Sequence, residues 1–332
     1  MPIILGRRNV VEVYRAAAER GWVVPTFCAE NQTTVEAILS ACQVKAGELG
    51  VRVPVTVAMT GRYAHRPQAM YYAASHNPET GIELFLGDCE VLARPSGDYP
   101  DVAVLTHLDH GQPDEDAVTW AGDLSRFSSV MYDASAFPWA ENLARTAEFV
   151  AVHRDELLIE GAADEVVDAT GSAHADLTTP ERAEEFVAHT GADMVVANLG
   201  TEHRAAAADL AYHPETARAI SERIGTKLVL HGTSSVPIEQ LATLYGDGVC
   251  KVNIWTALER DTSPVLFRAM VEHADAVAGG VAAELAADGL LGPNAPISGR
   301  PNIAYFTTAW RQQLIGQAML QRIRGYLDLW YR

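Results

Sequence analysis

Positive charge is scarce in this 332-residue sequence: 25 lysines and arginines stand against 43 acidic residues, a formal net charge of −18. Such a chain repels phosphate backbones and anionic lipid, so nucleic acid and membrane surfaces are excluded as partners. An anionic substrate then needs a local cluster of positive groups or a metal ion. Cysteine is scarce as well. Cys28, Cys42, Cys89 and Cys250 have no paired spacing and lie mostly in apolar segments, which reads as reduced core thiols in a cytoplasmic protein. No apolar run reaches membrane length. The opening MPIILGRRNVVEVYRAAAERG has a few apolar residues, two arginines and then a helical pattern, so neither a secretory leader nor a membrane span is expected there. What the chain does have is core material, with 48% hydrophobic and only 20% charged residues.

That material is distributed in a regular way. Eight short apolar or β-branched runs recur: WVVPTF (22–27), VPVTVAM (53–59), VAVLTHL (102–108), SVMYDA (129–134), LLIEG (157–161), MVVANLG (194–200), KLVLHG (227–232) and VCKVNIW (249–255). Between them lie segments of helical periodicity, among them NVVEVYRAAAERG, TTVEAILSACQVKAGELG, ENLARTAEFVAVHR, TPERAEEFVAHTG and PIEQLATLYGDG. Several open on Thr or Pro and close on Gly, the usual start and stop signals. Runs that are apolar throughout are covered on both faces, which means a parallel sheet with helices outside. Eight such units predict an α/β fold of the TIM (β/α)8 type, with the barrel over about 1–260. An open doubly wound sheet is the alternative, disfavoured because no Gly-rich phosphate turn follows the first run. The helical remainder, about 261–332, reads as a C-terminal extension of the same domain.

In such a barrel the chemistry sits at the C-terminal strand ends. The third run, VAVLTHLDHGQP, ends in Asp109 and His110; the sixth leads through NLGTEH to His203; the seventh ends in His231. Three imidazoles converging on one mouth are how a catalytic zinc is held with a fourth position open. Spacing alone leaves a plainer reading open, in which each histidine is a polar residue meeting water. His107, within the third run, competes for a place in the set.

HLDHG (107–111), SSVMYDAS (128–135), GTEH (200–203), LVLHGTSS (228–235) and CKVNIWT (250–256) resemble successive motifs of the class II fructose-bisphosphate aldolase family. The tail RPNIAYFTTAWRQQLIGQAMLQRIRGYL is similar to the C-terminal helices of its longer, zinc-dependent subgroup. The resemblance implies that His110, His203 and His231 bind Zn2+ and that Asp109 is the catalytic acid/base. It places the phosphate-bearing donor against Gly232, Ser234, Asn253 and Thr256, and a far phosphate against Arg322. A second-sphere role for Asp109, turn or helix capping by Ser234 and Thr256, and a surface position for Arg322 are the plainer alternatives.

The pattern is broken at the mouth. Arg204 replaces a glycine whose carbonyl helps hold a monovalent cation, and its guanidinium suits a phosphate or carboxylate directly. Cys28, in TFCAEN, replaces an asparagine. Thr60, in VAMTGRY, replaces a serine and is carried into the substrate-binding set. Trp255 replaces an aspartate. In IEGAADEVVDATGSAH, Glu160 keeps the family's first acid, Ala162 replaces its second, and Glu165 or Asp168 is left to stand in for the lid carboxylate, with Glu165 taken as catalytic. With these departures, the resemblance implies a zinc-dependent aldolase, a cytoplasmic homodimer, that cleaves or forms the carbon–carbon bond between a dihydroxyacetone-phosphate-like donor and an aldehyde other than glyceraldehyde 3-phosphate. Two rivals stand beside it: the same metal site running another enolate reaction such as epimerisation, and a non-catalytic sugar-phosphate-binding barrel.

Overall fold

The computed structural model of the protein describes residues 3–165, 176–201 and 212–332. Eight strands, β1 (Val24–Cys28), β2 (Val53–Thr60), β3 (Val102–Gly111), β4 (Ser129–Tyr132), β5 (Leu158–Ala162), β6 (Met194–Val196), β7 (Leu228–Leu230) and β8 (Val249–Ile254), pair in sequence order. All pairs are parallel, and β1 closes on β8 through Thr26 opposite Asn253, completing a barrel. Every residue of every strand is buried, as expected of segments that lack polar alternation because helices cover their outer face.

The helices start and stop where local chemistry dictates. Asn31 caps Gln32–Leu49 by accepting from the Thr34 amide at 3.1 Å, and Gly50 ends that helix in the left-handed region. Thr179 and Gly191 do the same for Pro180–Thr190, with proline in its first turn. PIEQLATLYGDG does not continue as a helix. Its regular part is the single turn Ile238–Leu241, after which turns lead to Gly248, whose φ of 86° breaks any helical path into β8. The runs MVVANLG and KLVLHG are also longer than β6 and β7. Beyond Val196 the backbone leaves the ladder and bonds instead to Thr178, whose amide donates to the Asn198 carbonyl at 3.0 Å.

After β8 the chain forms helices Thr256–Glu272, Ala274–Ala278, Gly280–Ala287, Ile303–Phe306 and Thr308–Trp330. The last packs on Gln32–Leu49 and Thr256–Glu272. Its end is stitched to the barrel: Trp330 Nε1 donates to the Leu241 carbonyl at 2.7 Å, and the fully buried Tyr331 donates its hydroxyl to the Pro54 carbonyl at 2.5 Å. No helix among the described residues is long and apolar enough to cross a membrane, and all four cysteines are buried free thiols.

The segment after β2 is held against the barrel by a close approach. A Cβ on Gly81, in helix Pro78–Leu92, would lie 1.8 Å from the Ala69 carbonyl oxygen. Gly81→Ala must therefore push residues 68–71 outward, and thermal unfolding should show it destabilised by about 1–3 kcal/mol or more. Gln68, in the displaced segment, braces the mouth described next.

Candidate active site

In a regular strand alternate side chains share a face, so His107 and Asp109 both point into the barrel and His110 should point out. Two departures turn His110 inward as well. The β3–β4 register shifts between Leu108 and Gly111, and His110 itself has a φ of 48°, a conformation that a non-glycine residue adopts only where its surroundings enforce it. Asp109 and His110 consequently sit side by side at the mouth, 1% and 3% exposed. His231, one residue beyond β7, reaches the same point.

Each imidazole is oriented by a carboxylate. His110 Nδ1 lies 2.7 Å from Asp133 Oδ2, and His231 Nε2 lies 3.2 Å from Glu160 Oε1. A carboxylate accepts, so these bonds assign the N–H to Nδ1 of His110 and Nε2 of His231. The remaining nitrogens, His110 Nε2 and His231 Nδ1, then face one another at 3.1 Å, each offering a lone pair. A proton or a cation between them can bridge that pair. One oxygen of Asp109 completes the set, with the three ligand atoms within 4.8 Å of one another. Two anchored imidazoles and a carboxylate are donors that fit a divalent cation. Tyr63 stacks on the His110 ring, with centroids 4.4 Å apart and planes 7° apart.

Beneath this layer lies a fully buried polar network. Lys251 Nζ donates to Glu160 Oε2 at 2.6 Å and to His107 Nε2 at 3.1 Å, and His107 Nδ1 bonds to Ser129 Oγ at 2.8 Å. Burial alone would raise the Glu160 carboxyl, but the Lys251 charge and the bond from His231 outweigh it and hold Glu160 at about 2. Burial, followed by the Lys251 charge, pushes His107 down to about 3, so His107 is neutral and serves as an acceptor for the lysine.

Asp109 is heavily engaged. Its Oδ1 accepts from Asn253 Nδ2 at 2.9 Å and its Oδ2 from Arg66 Nη2 at 2.7 Å, with the Cys28 thiol 3.4 Å away. Burial would raise this carboxyl, yet the neighbouring His110, His231 and Arg66 hold it well below the usual carboxylate range.

Two cavities flank the centre. One, about 130 Å³, lies on the His110 side and is lined by Tyr63, Asp133, Ser135 and the exposed Glu165, among others. The other, about 20 Å³ and large enough for a single water, is lined by Asp109, His231, Gly232, Ser234, Asn253 and Thr256 together with Arg66 and Trp255. The residues expected to seat the donor are thus brought together. His203, Arg204 and Asp168 lie outside the described residues. Two members of the expected set are spent elsewhere. The Thr60 hydroxyl bonds to the Arg66 carbonyl and accepts from the Gln68 amide at 3.1 Å. Arg322 pairs with Asp261 at 2.9 Å and bonds to the Tyr326 hydroxyl at 3.2 Å, lining neither cavity.

Sequence reasoning passed over Arg66, which lies in a loop without periodicity, and the pairing of Lys251. The latter carried a signal: a lysine inside the apolar run VCKVNIW must find a buried partner.

Fold and site together define a (β/α)8 barrel whose mouth presents a histidine–carboxylate centre suited to a divalent cation. Residues 8–288 match the model of the class-II fructose-bisphosphate aldolase family, and the chain belongs to that family of aldolase-type lyases. It is 33% identical over 207 residues to the fructose-bisphosphate aldolase of Giardia intestinalis, a stretch covering 53% of this chain but only 62% of that protein. It is 31% identical over 274 residues to the D-tagatose-1,6-bisphosphate aldolase subunit GatY of Klebsiella oxytoca, covering 78% and 85% of the two chains. Among solved structures, the fructose-bisphosphate aldolase of Campylobacter jejuni superposes with a TM-score of 0.73 at 16% identity, covering 98% of this chain and 96% of that one. The YdjI aldolase of Escherichia coli K12 gives 0.65 at 19% identity, covering 96% and 95%. These two carry the fold alone.

Proposed function

We propose that the protein is a zinc-dependent aldolase that makes or breaks the carbon–carbon bond between a dihydroxyacetone-phosphate-like donor and an aldehyde. The observation that carries this reading is the convergence of one ring nitrogen each from His110 and His231, both rings fixed by a carboxylate, with an oxygen of Asp109 beside them. His110 and His231 would hold the ion, and His203 is proposed as the third ligand. When bound, the ion supplies Lewis-acid polarisation of the ketose carbonyl.

The protein's own groups do the rest. Asp109 receives the proton of the hydroxyl at the bond being cut and returns it in the forward condensation. Its contacts to Asn253 and Arg66 fix its orientation, which lowers the reorganisation needed in the reaction. Gly232, Ser234, Asn253 and Thr256 line the donor seat, whose present size requires the rim to part when the donor enters. Arg204 is proposed to add positive charge there, and Glu165, across the larger cavity, to serve the donor carbon. The altered residues Cys28 and Trp255 favour an acceptor other than glyceraldehyde 3-phosphate. A cytoplasmic homodimer is the form proposed for the protein.

Metal analysis with donor proton exchange tests this reading. Near-stoichiometric zinc and exchange of a dihydroxyacetone phosphate proton in D2O are expected, with a new carbon–carbon bond on adding an aldehyde. Zinc-free protein that still binds the sugar phosphate would instead indicate a binding barrel. Exchange that never yields a condensation product, whatever the aldehyde, would point to epimerisation or a related reaction.

A further inference from the structure

Three mouth residues that break the family pattern or escape it meet in one place. Arg66, with a side chain 12% exposed, donates through Nη2 to Asp109 Oδ2 at 2.7 Å and to Cys28 Sγ at 3.4 Å. Its guanidinium carbon lies 4.8 Å from the centre of the Trp255 ring. That ring is itself braced: Trp255 Nε1 donates to Glu30 Oε1 at 2.5 Å, which also accepts from Gln68 Nε2 at 2.8 Å. The guanidinium is therefore clamped between an indole face and the proposed acid/base.

The clamp uses only part of its hydrogen-bonding capacity. Nε and Nη2 lie on the same edge of a guanidinium, the edge that takes a carboxylate in a bidentate pair. Here Nη2 is engaged, while Nε is buried with no partner among the described residues. Asn253 and Arg66 both line the small cavity, and Asn253 Oδ1 is also buried without a partner among the described residues. A buried guanidinium nitrogen left unpaired is costly, and an acceptor atom from a ligand relieves it.

The position of that nitrogen limits the ligand. In the proposed reaction, Asp109 exchanges a proton with the acceptor's carbonyl oxygen. A group that reaches Arg66 Nε while the carbonyl oxygen meets Asp109 must be attached at, or next to, the carbonyl carbon. The phosphate of glyceraldehyde 3-phosphate is too far along the chain, and Arg322, the residue matched to a far phosphate, is paired with Asp261. We propose that Arg66 is a specificity-determining residue that selects an acceptor aldehyde carrying a carboxylate on or beside its carbonyl carbon, of which glyoxylate is the simplest. This rests on the aldolase reading above. The chemistry balances without an oxidant. The donor carbon, having lost a proton to a base, forms the new bond to the aldehyde carbon. The carbonyl π pair moves to oxygen, which takes a proton through Asp109, and with glyoxylate the product is a phosphorylated 4-oxo acid.

The test compares glyoxylate with glycolaldehyde, which differs in lacking the carboxylate charge, using dihydroxyacetone phosphate as donor and glyceraldehyde 3-phosphate as a third acceptor. Wild-type enzyme is expected to favour glyoxylate over glycolaldehyde in kcat/KM by about tenfold to a hundredfold. Arg66→Met is expected to remove that ratio, and Arg66→Lys, which keeps the charge without Nε–H, to retain part of it. The ratio is the informative quantity, because both acceptors depend on Asp109, and a disturbed Asp109 slows both alike. Wild-type enzyme favouring glycolaldehyde or glyceraldehyde 3-phosphate, or an Arg66→Met variant that keeps the ratio, overturns the assignment. Donor proton exchange separates the two levels: exchange with the wrong acceptor preference sinks only the role of Arg66, whereas absence of exchange sinks the aldolase reading beneath it.

Discussion

Asp109→Asn is expected to lower kcat by about 10²–10⁴ while leaving the protein folded and still able to take up metal. The substitution is nearly isosteric. A carboxamide oxygen can still accept from Asn253 Nδ2, but the amide cannot carry the proton that the bond-making step requires. It also places an N–H₂ group, or a neutral oxygen, against Arg66 Nη2, where a carboxylate oxygen now lies at 2.7 Å. Measuring metal content together with kcat separates two roles that the geometry permits for this residue. Asp109 stands within ligand distance of His110 and His231. If it acts as acid/base, zinc content holds and turnover collapses. If it serves chiefly as a ligand, zinc is lost along with turnover. A variant retaining more than a tenth of wild-type kcat would remove Asp109 from the chemistry.

The barrel was legible because its strands carry an unambiguous physical mark. Segments buried on both faces cannot alternate, and all eight apolar runs became strands in order, with ends displaced by a few residues. The helix expected over PIEQLATLYGDG was over-read, because its apolar spacing is helical while Gly246 and Gly248 favour turns. At the mouth, histidines at strand ends could be read directly, and Asp109, His110 and His231 do meet. The inward turn of His110 was not readable, since it depends on a register shift and a left-handed backbone that tertiary contacts impose. Arg66 was invisible for a related reason: a loop arginine has no period, and only the folded chain shows that it lies under Trp255 and against Asp109. Thr60 looked available because a strand-end hydroxyl usually faces solvent, but the loop folds back and uses it internally.

Lys251 is a lysine set inside an apolar run, a signal the sequence reading passed over, and its removal should produce the largest loss of stability. Lys251→Met leaves Glu160 ionised in the barrel interior with His231 as its remaining partner, a loss expected to be about 3–5 kcal/mol in urea unfolding at pH 7. The pH dependence follows from the direction of the shift. The folded protein holds Glu160 at about 2, against 4.5 for the free carboxylate. A depressed folded value favours the native state fully above 4.5 and loses that contribution as pH falls from about 4.5 towards about 2. His107, held at about 3 against 6.5, adds a decline that begins earlier, as pH drops below about 6.5. The gap between wild type and Lys251→Met should therefore be widest near neutrality and narrow in acid, where Glu160 becomes protonated in both. Pairing the change with Glu160→Gln removes the stranded charge, and most of the stability should return. The double variant still offers His231 Nε2 an acceptor, but a neutral one, so a ligand imidazole of lower basicity should bind zinc about tenfold to a hundredfold more weakly in chelator competition. Recovered stability with unchanged zinc affinity would mean that Lys251 and Glu160 serve packing alone; recovered stability with weakened affinity would show that the buried pair tunes the metal centre through His231.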